Sequence, residues 1–331
     1  MKTMIEMIQA FPAQLEEALA IGKQIRLNAH DQAIHKVYVA GMGGSGIGGD
    51  FVASLVMDEC RVPVLVGKSY EVPAYIDGNT LVILSSYSGN TEETLTALER
   101  MKNFGAKFIC VSSGGELLKQ ARERQLDFVQ LPSGWSSPRA CLGFSLVSQL
   151  CILNKMALIG DGLLEDLESA IQLLKLQTPE IVQTARQLAG FMEGKMPVIY
   201  SIDRMEPVAV RFRQQVNENS KMLCWHHVLP EMNHNELVGW RWTQNALAVL
   251  FLRNADENPR IQVRMELTKE IVSHYTQSVL EVYSKGESLA GRCLYMVHLL
   301  DYVSVYLAEF NQVDAVEVRV IDFLKTELSK Q

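Results

Sequence analysis

Two turns rich in glycine and hydroxyl residues each follow a short run of apolar, mostly β-branched residues. The first turn, GMGGSGIGGD at 41–50, follows HKVYVA at 35–40, and the second, SYSGNTEE at 86–93, follows TLVILS at 80–85. Short apolar runs that end in such turns predict buried parallel strands. Because the carboxyl ends of parallel strands meet at one edge of a sheet, the sequence predicts an α/β fold with both turns at its ligand-binding edge.

The composition of the two turns is typical of a phosphate site. A helix that begins at the end of a strand directs backbone N–H groups and the positive end of its dipole at an anion. The glycines allow the backbone to approach a ligand closely, and the hydroxyls can donate to phosphate oxygens. Thr91 also fits a helix N-cap position before Glu92 and Glu93, a role compatible with phosphate binding. The candidate phosphate ligands are Gly44, Ser45, Ser86, Ser88 and Thr91.

Two nucleotide motifs are disfavoured by the same residues. Gly41, Gly43 and Gly46 fit the G-x-G-x-x-G pattern of dinucleotide sites. An acidic residue is then expected about 20 positions further on, whereas Glu71 lies 25 positions after Gly46. Ile47 stands where a P-loop requires lysine, which excludes that motif.

The composition predicts a cytoplasmic protein of ordinary globular type. The chain has 331 residues, 48% of them hydrophobic, which favours two domains over one. Its longest apolar run, residues 246–252, is too short to span a bilayer, and Glu6 interrupts the segment that a signal peptide would need. A net charge of −7 disfavours a nucleic-acid surface, and the six scattered cysteines indicate reduced core thiols.

Strands and helices alternate in both halves of the chain. Strands are predicted near 36–41, 62–67, 80–85, 106–112 and 127–131, and again near 196–202, 222–228, 246–252 and 279–284. A helix from Arg139 to Leu158 closes the first half, and two helices, 160–176 and 178–192, are predicted around Pro179. The predicted domains are 1–158 with the phosphate loops, a helical connection at 159–195, and 196–331 with a last helix at 316–328.

The second half carries two short segments dense in acid, base and amide side chains. In VNENSK, at 216–221, Glu218 falls at the C-terminal end of a predicted helix, where the dipole disfavours a carboxylate. The second segment, EMNHNE, contains His234. A metal site built from His226, His227, His234 and Glu236 fits no familiar ligand spacing, so no metal is predicted.

Five motifs of this chain occur in the same order in one enzyme family. They are GMGGSGIGGD, SYSGNTEE, PRACLG at 138–143, NENSK at 217–221 and PEMNHNE at 230–236. The chain resembles the bifunctional phosphoglucose/phosphomannose isomerases of the sugar isomerase (SIS) superfamily over nearly its whole length. The resemblance implies two tandem SIS domains, each with a flavodoxin-like parallel sheet flanked by helices.

The resemblance also implies an activity and a role for each candidate residue. It implies the interconversion of glucose 6-phosphate, mannose 6-phosphate and fructose 6-phosphate by metal-independent proton transfer, without a cofactor, in a homodimer. Glu218 matches the proton-transferring base, and Arg139 matches a cation that stabilises negative charge. His234, which reaches the partner's active site in the family, and Lys325 match residues that assist ring opening.

Two other interpretations remain open at this point. SIS domains also serve as non-catalytic sugar-phosphate sensors, although the first 35 residues hold no basic helix-turn-helix to bind DNA. The chain could also be an isomerase of another phosphosugar, such as an amino sugar. The first alternative needs the phosphate loops but not Glu218 and His234, so the site rather than the fold decides between them.

Overall fold

A computed structural model describes residues 2–330 of the chain, which fold into two compact units. The N-terminal unit consists mainly of Gln9–Lys175, and the C-terminal unit mainly of Leu176–Lys285 and the residues from Arg292 onward. The strands are β1 Lys36–Ala40, β2 Val64–Gly67, β3 Thr80–Ser85, β4 Lys107–Ser112, β5 Asp127–Gln130, β6 Met196–Ile202, β7 Trp225–Leu229, β8 Leu247–Arg253 and β9 Val279–Tyr283. The helices are α1 Met4–Gln9, α2 Phe11–Lys23, α3 Gly43–Leu55, α4 Glu92–Met101, α5 Gly115–Glu123, α6 Leu142–Lys155, α7 Gly162–Met192, α8 Glu206–Ser220, α9 Pro259–Ser273, α10 Leu289–Phe310 and α11 Arg319–Leu328.

The N-terminal unit is built on a five-stranded sheet in the order β2-β1-β3-β4-β5, and all its strand pairs are parallel. Every residue of β3 and β4 is buried. Strands covered on both faces are mostly apolar along their length, which explains why the sequence shows nearly continuous apolar runs there. All five strands were predicted within a few residues of their observed bounds.

Helices cover both faces of this sheet. On one face, Leu98 and Met101 of α4 and Leu117 of α5 pack with Val82 and Leu84 of β3 in a buried apolar cluster. Helix α3 packs on β1 and β2, and α6 packs against α2 and α3. The result is the doubly wound arrangement that the alternating pattern predicts.

The C-terminal unit has a four-stranded parallel sheet in the order β7-β6-β8-β9. Every residue of β8 is buried, and Tyr200 of β6 contacts Phe251 of β8 with ring centroids 5.3 Å apart. Helix α10 is long and apolar enough to cross a membrane by length and composition, but 78% of that stretch is buried in the fold. Its apolar character therefore fits that of a core helix.

One helical prediction is wrong. The sequence predicts two helices around Pro179, whereas the structure has a single 31-residue helix, α7, with Pro179 inside it. Proline within a helix costs about 3 kcal/mol because it lacks an N–H donor and crowds the preceding turn. The fully buried side chains of Leu174 and Ile181, one on each side of the proline, contribute burial that offsets this cost.

All six cysteines are free thiols, as the sequence predicts. Cys110, Cys141, Cys151 and Cys293 are buried, whereas Cys60 and Cys224 are partly buried. Burial disfavours the thiolate and raises the pKa of Cys110 to about 12. The four buried cysteines therefore serve as small apolar core residues.

Candidate active site

The two glycine and hydroxyl turns lie side by side in the N-terminal unit. Strands β1 and β3 are direct neighbours, with Ala40 paired to Leu84. In the order β2-β1-β3, strand β2 is added on one side of β1, whereas β3 and the later strands are added on the other side. The order of the strands therefore reverses between β1 and β3. Ligands of such sheets bind at this switch point. The turn after β1 and the turn after β3 therefore face the position where a ligand is expected.

Helix α3 begins directly in the first turn. Its N-cap residue, Met42, is extended and gives no side-chain cap, and its carbonyl oxygen accepts from the N–H of Ser45 at 3.0 Å. The N–H groups of Gly43 and Gly44 are therefore the ones available to an anion. A Cβ on Gly44 would lie 3.1 Å from the carbonyl oxygen of Pro138 and 3.4 Å from the Cα of Arg139. Glycine at this position allows the turn that carries Arg139 to pack against the start of α3.

Two of the predicted hydroxyl ligands are bonded to each other, and a third is bonded to the backbone of the same turn. The hydroxyls of Ser86 and Thr91 are hydrogen-bonded at 2.7 Å, and the Oγ of Ser86 also accepts from the N–H of Gly89 at 3.1 Å. The Oγ of Ser45 accepts from the N–H of Tyr87 at 3.3 Å, which joins the first turn to the second. These contacts hold Ser45, Ser86 and Thr91 within a few ångströms of one another at the switch point.

Thr91 and Ser88 behave differently from the simplest expectation. Thr91 occupies the N-cap position of α4, but its side chain makes no capping hydrogen bond and instead contacts Ser86. Ser88 is exposed, and its Oγ accepts from the N–H of Asn90 at 3.2 Å. Within residues 2–330, no hydrogen bond joins Ser88 to the other three hydroxyls.

Backbone geometry shapes the second turn. Gly89 has a φ of +71°, and a Cβ there would lie 1.9 Å from the carbonyl oxygen of Gly114. Both the positive φ and the close backbone contact require glycine. Burial raises the pKa of Tyr87 to about 12, so its hydroxyl stays protonated and donates to the carbonyl oxygen of Pro132 at 2.9 Å. This bond fixes the loop that leads toward Arg139.

Arg139 lies in a 3₁₀ turn, Pro138–Cys141, and not in the α-helix that the sequence predicts from Arg139 onward. Gln14 explains the difference. Its Nε2 donates to the carbonyl oxygen of Ala140 at 2.9 Å, and its Oε1 accepts from the N–H of Gly143 at 2.7 Å. These bonds occupy backbone groups that an earlier helix start would use. The Arg139 side chain is buried at 8% exposure beside the start of α3.

Glu218 occupies the last turn of α8 in the C-terminal unit, as predicted, and is partly buried. The end of this helix is firmly held. Asn219 Nδ2 donates to the Oγ of Ser304 at 2.9 Å, and the Oγ of Ser220 donates to the carbonyl oxygen of Ser304 at 2.6 Å. Lys221 donates to the carbonyl oxygen of Glu218 at 2.5 Å, so a cation offsets the negative end of the helix dipole.

His234 and Lys325 lie on other elements of the C-terminal unit. His234 ends the short 3₁₀ turn Glu231–His234 that follows β7, and its side chain is exposed. Lys325 is exposed in α11, a helix with no buried residue. No group of three or more His, Cys, Asp or Glu side chains within residues 2–330 is arranged to hold a metal ion, which includes the set around His226 and His227.

The sequence matches two family descriptions, one in each half. Residues 32–125 match the SIS domain, and residues 181–328 match the bacterial phospho-glucose isomerase C-terminal SIS domain. The chain is 38% identical to a bifunctional phosphoglucose/phosphomannose isomerase of Caldicellulosiruptor bescii, with 99% of each chain covered. The chain belongs to the bifunctional phosphoglucose/phosphomannose isomerase family. The family resemblance and the two-SIS-domain fold predicted from the sequence are confirmed.

The chain is also similar in sequence to an epimerase and in fold to one domain of an aminotransferase. The chain is 30% identical to a D-glucosamine-6-phosphate 4-epimerase of Sulfolobus acidocaldarius, with 86% of this chain and 87% of the epimerase covered. Its fold is similar to that of the C-terminal domain of glucosamine-fructose-6-phosphate aminotransferase from Francisella tularensis. The TM-score is 0.78 at 15% identity, with 95% of this chain and 98% of the other covered.

Sequence reasoning missed several polar side chains that organise the site. Gln14, which sets the start of α6, carries no motif signal. The sequence places Glu236 only in a disfavoured metal set, yet in the structure hydrogen bonds join it to Tyr200 and Trp225 and, through Tyr200, to Trp240. The position of Glu236 two residues after His234 is the one signal that could have drawn attention to it.

Proposed function

We propose that this protein interconverts glucose 6-phosphate, mannose 6-phosphate and fructose 6-phosphate by moving a proton between C1 and C2 through a cis-enediolate. The observation that carries the proposal is that the hydroxyls of Ser45, Ser86 and Thr91 lie close together at the switch point of the N-terminal sheet. Such an arrangement suits the phosphate of a sugar phosphate. The Caldicellulosiruptor relative, a bifunctional phosphoglucose/phosphomannose isomerase, supports the choice of sugars.

The phosphate ligands hold the substrate and leave its sugar free to react. In the proposal, Ser45, Ser86, Ser88 and Thr91 donate to phosphate oxygens, and the N–H of Gly44 at the start of α3 adds the helix dipole. Arg139, buried beside that helix start, stabilises the negative charge that develops on the enediolate oxygen. Its guanidinium stays charged at any physiological pH.

Glu218 is the proposed base. Its carboxylate removes the proton from C2 of the aldose and returns a proton to C1, which converts the aldose to the ketose. Return of a proton to the other face of C2 distinguishes mannose 6-phosphate from glucose 6-phosphate. Because hexose phosphates are mainly closed rings, His234 and Lys325 are proposed to move protons at O5 and O1 during ring opening. These steps involve no metal or organic cofactor.

We further propose that the enzyme is a cytoplasmic homodimer in which His234 serves the partner's active site. The exposed imidazole of His234 supports this, as do the exposed apolar side chains of α11, with Val320 82% and Phe323 67% exposed. Apolar patches of this kind favour an interface. Light scattering on the active enzyme should give the mass of two chains, and the mass of one chain would contradict a shared site.

The Thr91→Val variant tests the phosphate site. Valine keeps the shape but removes one donor and the bond to Ser86. A hydrogen bond to a charged group contributes roughly 1.5–3 kcal/mol, so KM for glucose 6-phosphate should rise about 10- to 100-fold while kcat changes little. Steady-state kinetics measure both. An unchanged KM would mean that Thr91 does not contact the phosphate.

Turnover of glucose 6-phosphate to fructose 6-phosphate by the purified protein is the test of the proposed activity. Binding of glucose 6-phosphate without turnover would favour the sensor. Turnover of glucosamine 6-phosphate alone would favour the alternative, an isomerase of another phosphosugar. The 30% identity to the Sulfolobus epimerase is the observation that favours testing this substrate. Turnover of glucose 6-phosphate to fructose 6-phosphate contradicts both alternatives.

A further inference from the structure

A hydrogen-bonded network holds the segment after β7 to the C-terminal sheet. The Oε1 of Glu236 accepts from the hydroxyl of Tyr200 at 2.6 Å and from the indole Nε1 of Trp225 at 3.2 Å. The Tyr200 hydroxyl in turn accepts from the Nε1 of Trp240 at 2.8 Å. The carboxylate is thus bonded to β6 and β7, and the tyrosine is bonded to the far end of the segment.

These bonds are well placed to be strong. Tyr200 is fully buried, and Trp240 is 7% exposed. Burial and the hydrogen bond to Glu236 raise the pKa of Tyr200, so its hydroxyl remains a donor at physiological pH. Hydrogen bonds to an ionised carboxylate are stronger than neutral ones, and a partly desolvated position strengthens them further.

The residue before His234 is fixed from the other side. Asn233 Nδ2 donates to the Oγ1 of Thr268 at 2.8 Å, and its Oδ1 accepts from Arg264 Nη1 at 3.2 Å. Both partners belong to α9. The buried side chain of Met232 adds an apolar anchor one residue earlier. The residue that precedes His234 is therefore held in place by two side chains of α9.

The residue after His234 links it to the network. Asn235 Nδ2 donates to the Oε1 of Glu231 at 2.8 Å, and its Oδ1 accepts from the N–H of Glu236 at 2.6 Å. The imidazole of His234 is exposed, and this side chain makes no hydrogen bond within residues 2–330. The imidazole of His234 is thus exposed, while the side chains of its two neighbours, Asn233 and Asn235, are both hydrogen-bonded.

We propose that Glu236 is a positioning residue that fixes the backbone of the His234 turn against β6 and β7. The inference rests on the proposed function, in which His234 acts in ring opening. Without the carboxylate, the turn loses its bond to Tyr200 and Trp225, and the imidazole no longer meets the ring oxygen. Misplacement of a catalytic group by about 1 Å costs on the order of 100-fold in rate.

The test compares Glu236→Leu, Glu236→Gln and Tyr200→Phe. Leucine removes the carboxylate acceptor, and glutamine keeps a neutral acceptor. Phenylalanine removes the hydroxyl that donates to Glu236 and accepts from Trp240. We expect Glu236→Leu to lower kcat for glucose 6-phosphate about 10- to 100-fold with little change in KM, and Glu236→Gln to restore most of it. Glu270→Leu, at an exposed position on α9, is the matched control and should retain full kcat.

Two readouts separate positioning from a merely structural role. The first is erythrose 4-phosphate, which cannot form a five- or six-membered ring because its O4 is esterified, so its isomerisation needs no ring opening. Glu236→Leu should turn over this substrate at close to the wild-type rate. The second is a double-mutant comparison. Glu236→Leu should lower kcat for glucose 6-phosphate much less in the His234→Ala variant than in the wild type, because the effects of residues that act as a unit are not additive.

Each outcome bears on a different claim. Equal losses for the cyclic and acyclic substrates, or equal losses in both backgrounds, would overturn the positioning role of Glu236. If Glu236→Leu does not fold, the same comparisons made with Tyr200→Phe decide the matter. If His234→Ala keeps full turnover of glucose 6-phosphate, the assigned role of His234 fails, whatever Glu236 does.

Discussion

The Glu218→Gln variant should lose isomerisation of glucose 6-phosphate by roughly 10²- to 10⁴-fold, the range that one positioned proton transfer contributes. Glutamine is nearly isosteric and stays at the end of α8, but it cannot accept a proton from carbon. The phosphate ligands belong to the N-terminal unit and are untouched, so binding of glucose 6-phosphate should be nearly unchanged. Coupled kinetics and calorimetric titration measure the two quantities.

Glu206→Gln is a suitable control for this experiment. Glu206 lies at the other end of the same helix, is exposed, and faces His226 at 3.6 Å. Loss of its charge removes a favourable helix-dipole interaction of about 0.3–1 kcal/mol and leaves turnover intact. Full turnover in Glu218→Gln would rule out Glu218 as the base.

The second large effect is on stability. Asp301→Asn should lower the free energy of unfolding of the C-terminal unit by about 3–5 kcal/mol, because it leaves a buried arginine without its counter-charge. Arg211 Nε donates to Oδ1 of Asp301 at 3.0 Å, and its Nη2 donates to Oδ2 at 2.5 Å. The two side chains are only 4% and 5% exposed. Urea denaturation followed by circular dichroism measures the change.

An exposed ion pair in the same unit provides the comparison. Arg186 and Glu309 are bonded at 3.1 Å, but their side chains are 54% and 55% exposed. Glu309→Gln should cost no more than about 1 kcal/mol, since solvent screens exposed pairs. Equal effects of Asp301→Asn and Glu309→Gln would contradict the view that burial gives the Arg211 pair its importance.

The sheet could be predicted from the sequence because its signals are local. Strands buried on both faces are mostly apolar along their length, so β3 and β8 are recognisable as nearly continuous apolar runs. The two failures depend on distant residues. Gln14 delays the start of α6 through bonds to a segment more than 120 positions away, and burial around Pro179 keeps α7 continuous. Local propensity contains neither contact.

One part of the candidate site could likewise be predicted from the sequence, and another part could not. The approach of Ser45 to the Ser86 turn follows from two turns at the ends of adjacent parallel strands, so the sequence was enough to predict it. The Glu236 network depends on register. Val198 of β6 is paired with Trp225, so Tyr200, two residues further along β6, shares a face with Val198 and meets the carboxylate there. Register is not readable from composition or motif.

Incubation of fructose 6-phosphate with the enzyme in D₂O, with excess chelator, tests the central claim most directly. If Glu218 moves a proton through an enediolate without a metal, glucose 6-phosphate and mannose 6-phosphate should both form and carry deuterium at C2. A single aldose product would restrict the activity to one epimer. The absence of both products, or products that never gain deuterium at C2, would contradict the proposed function.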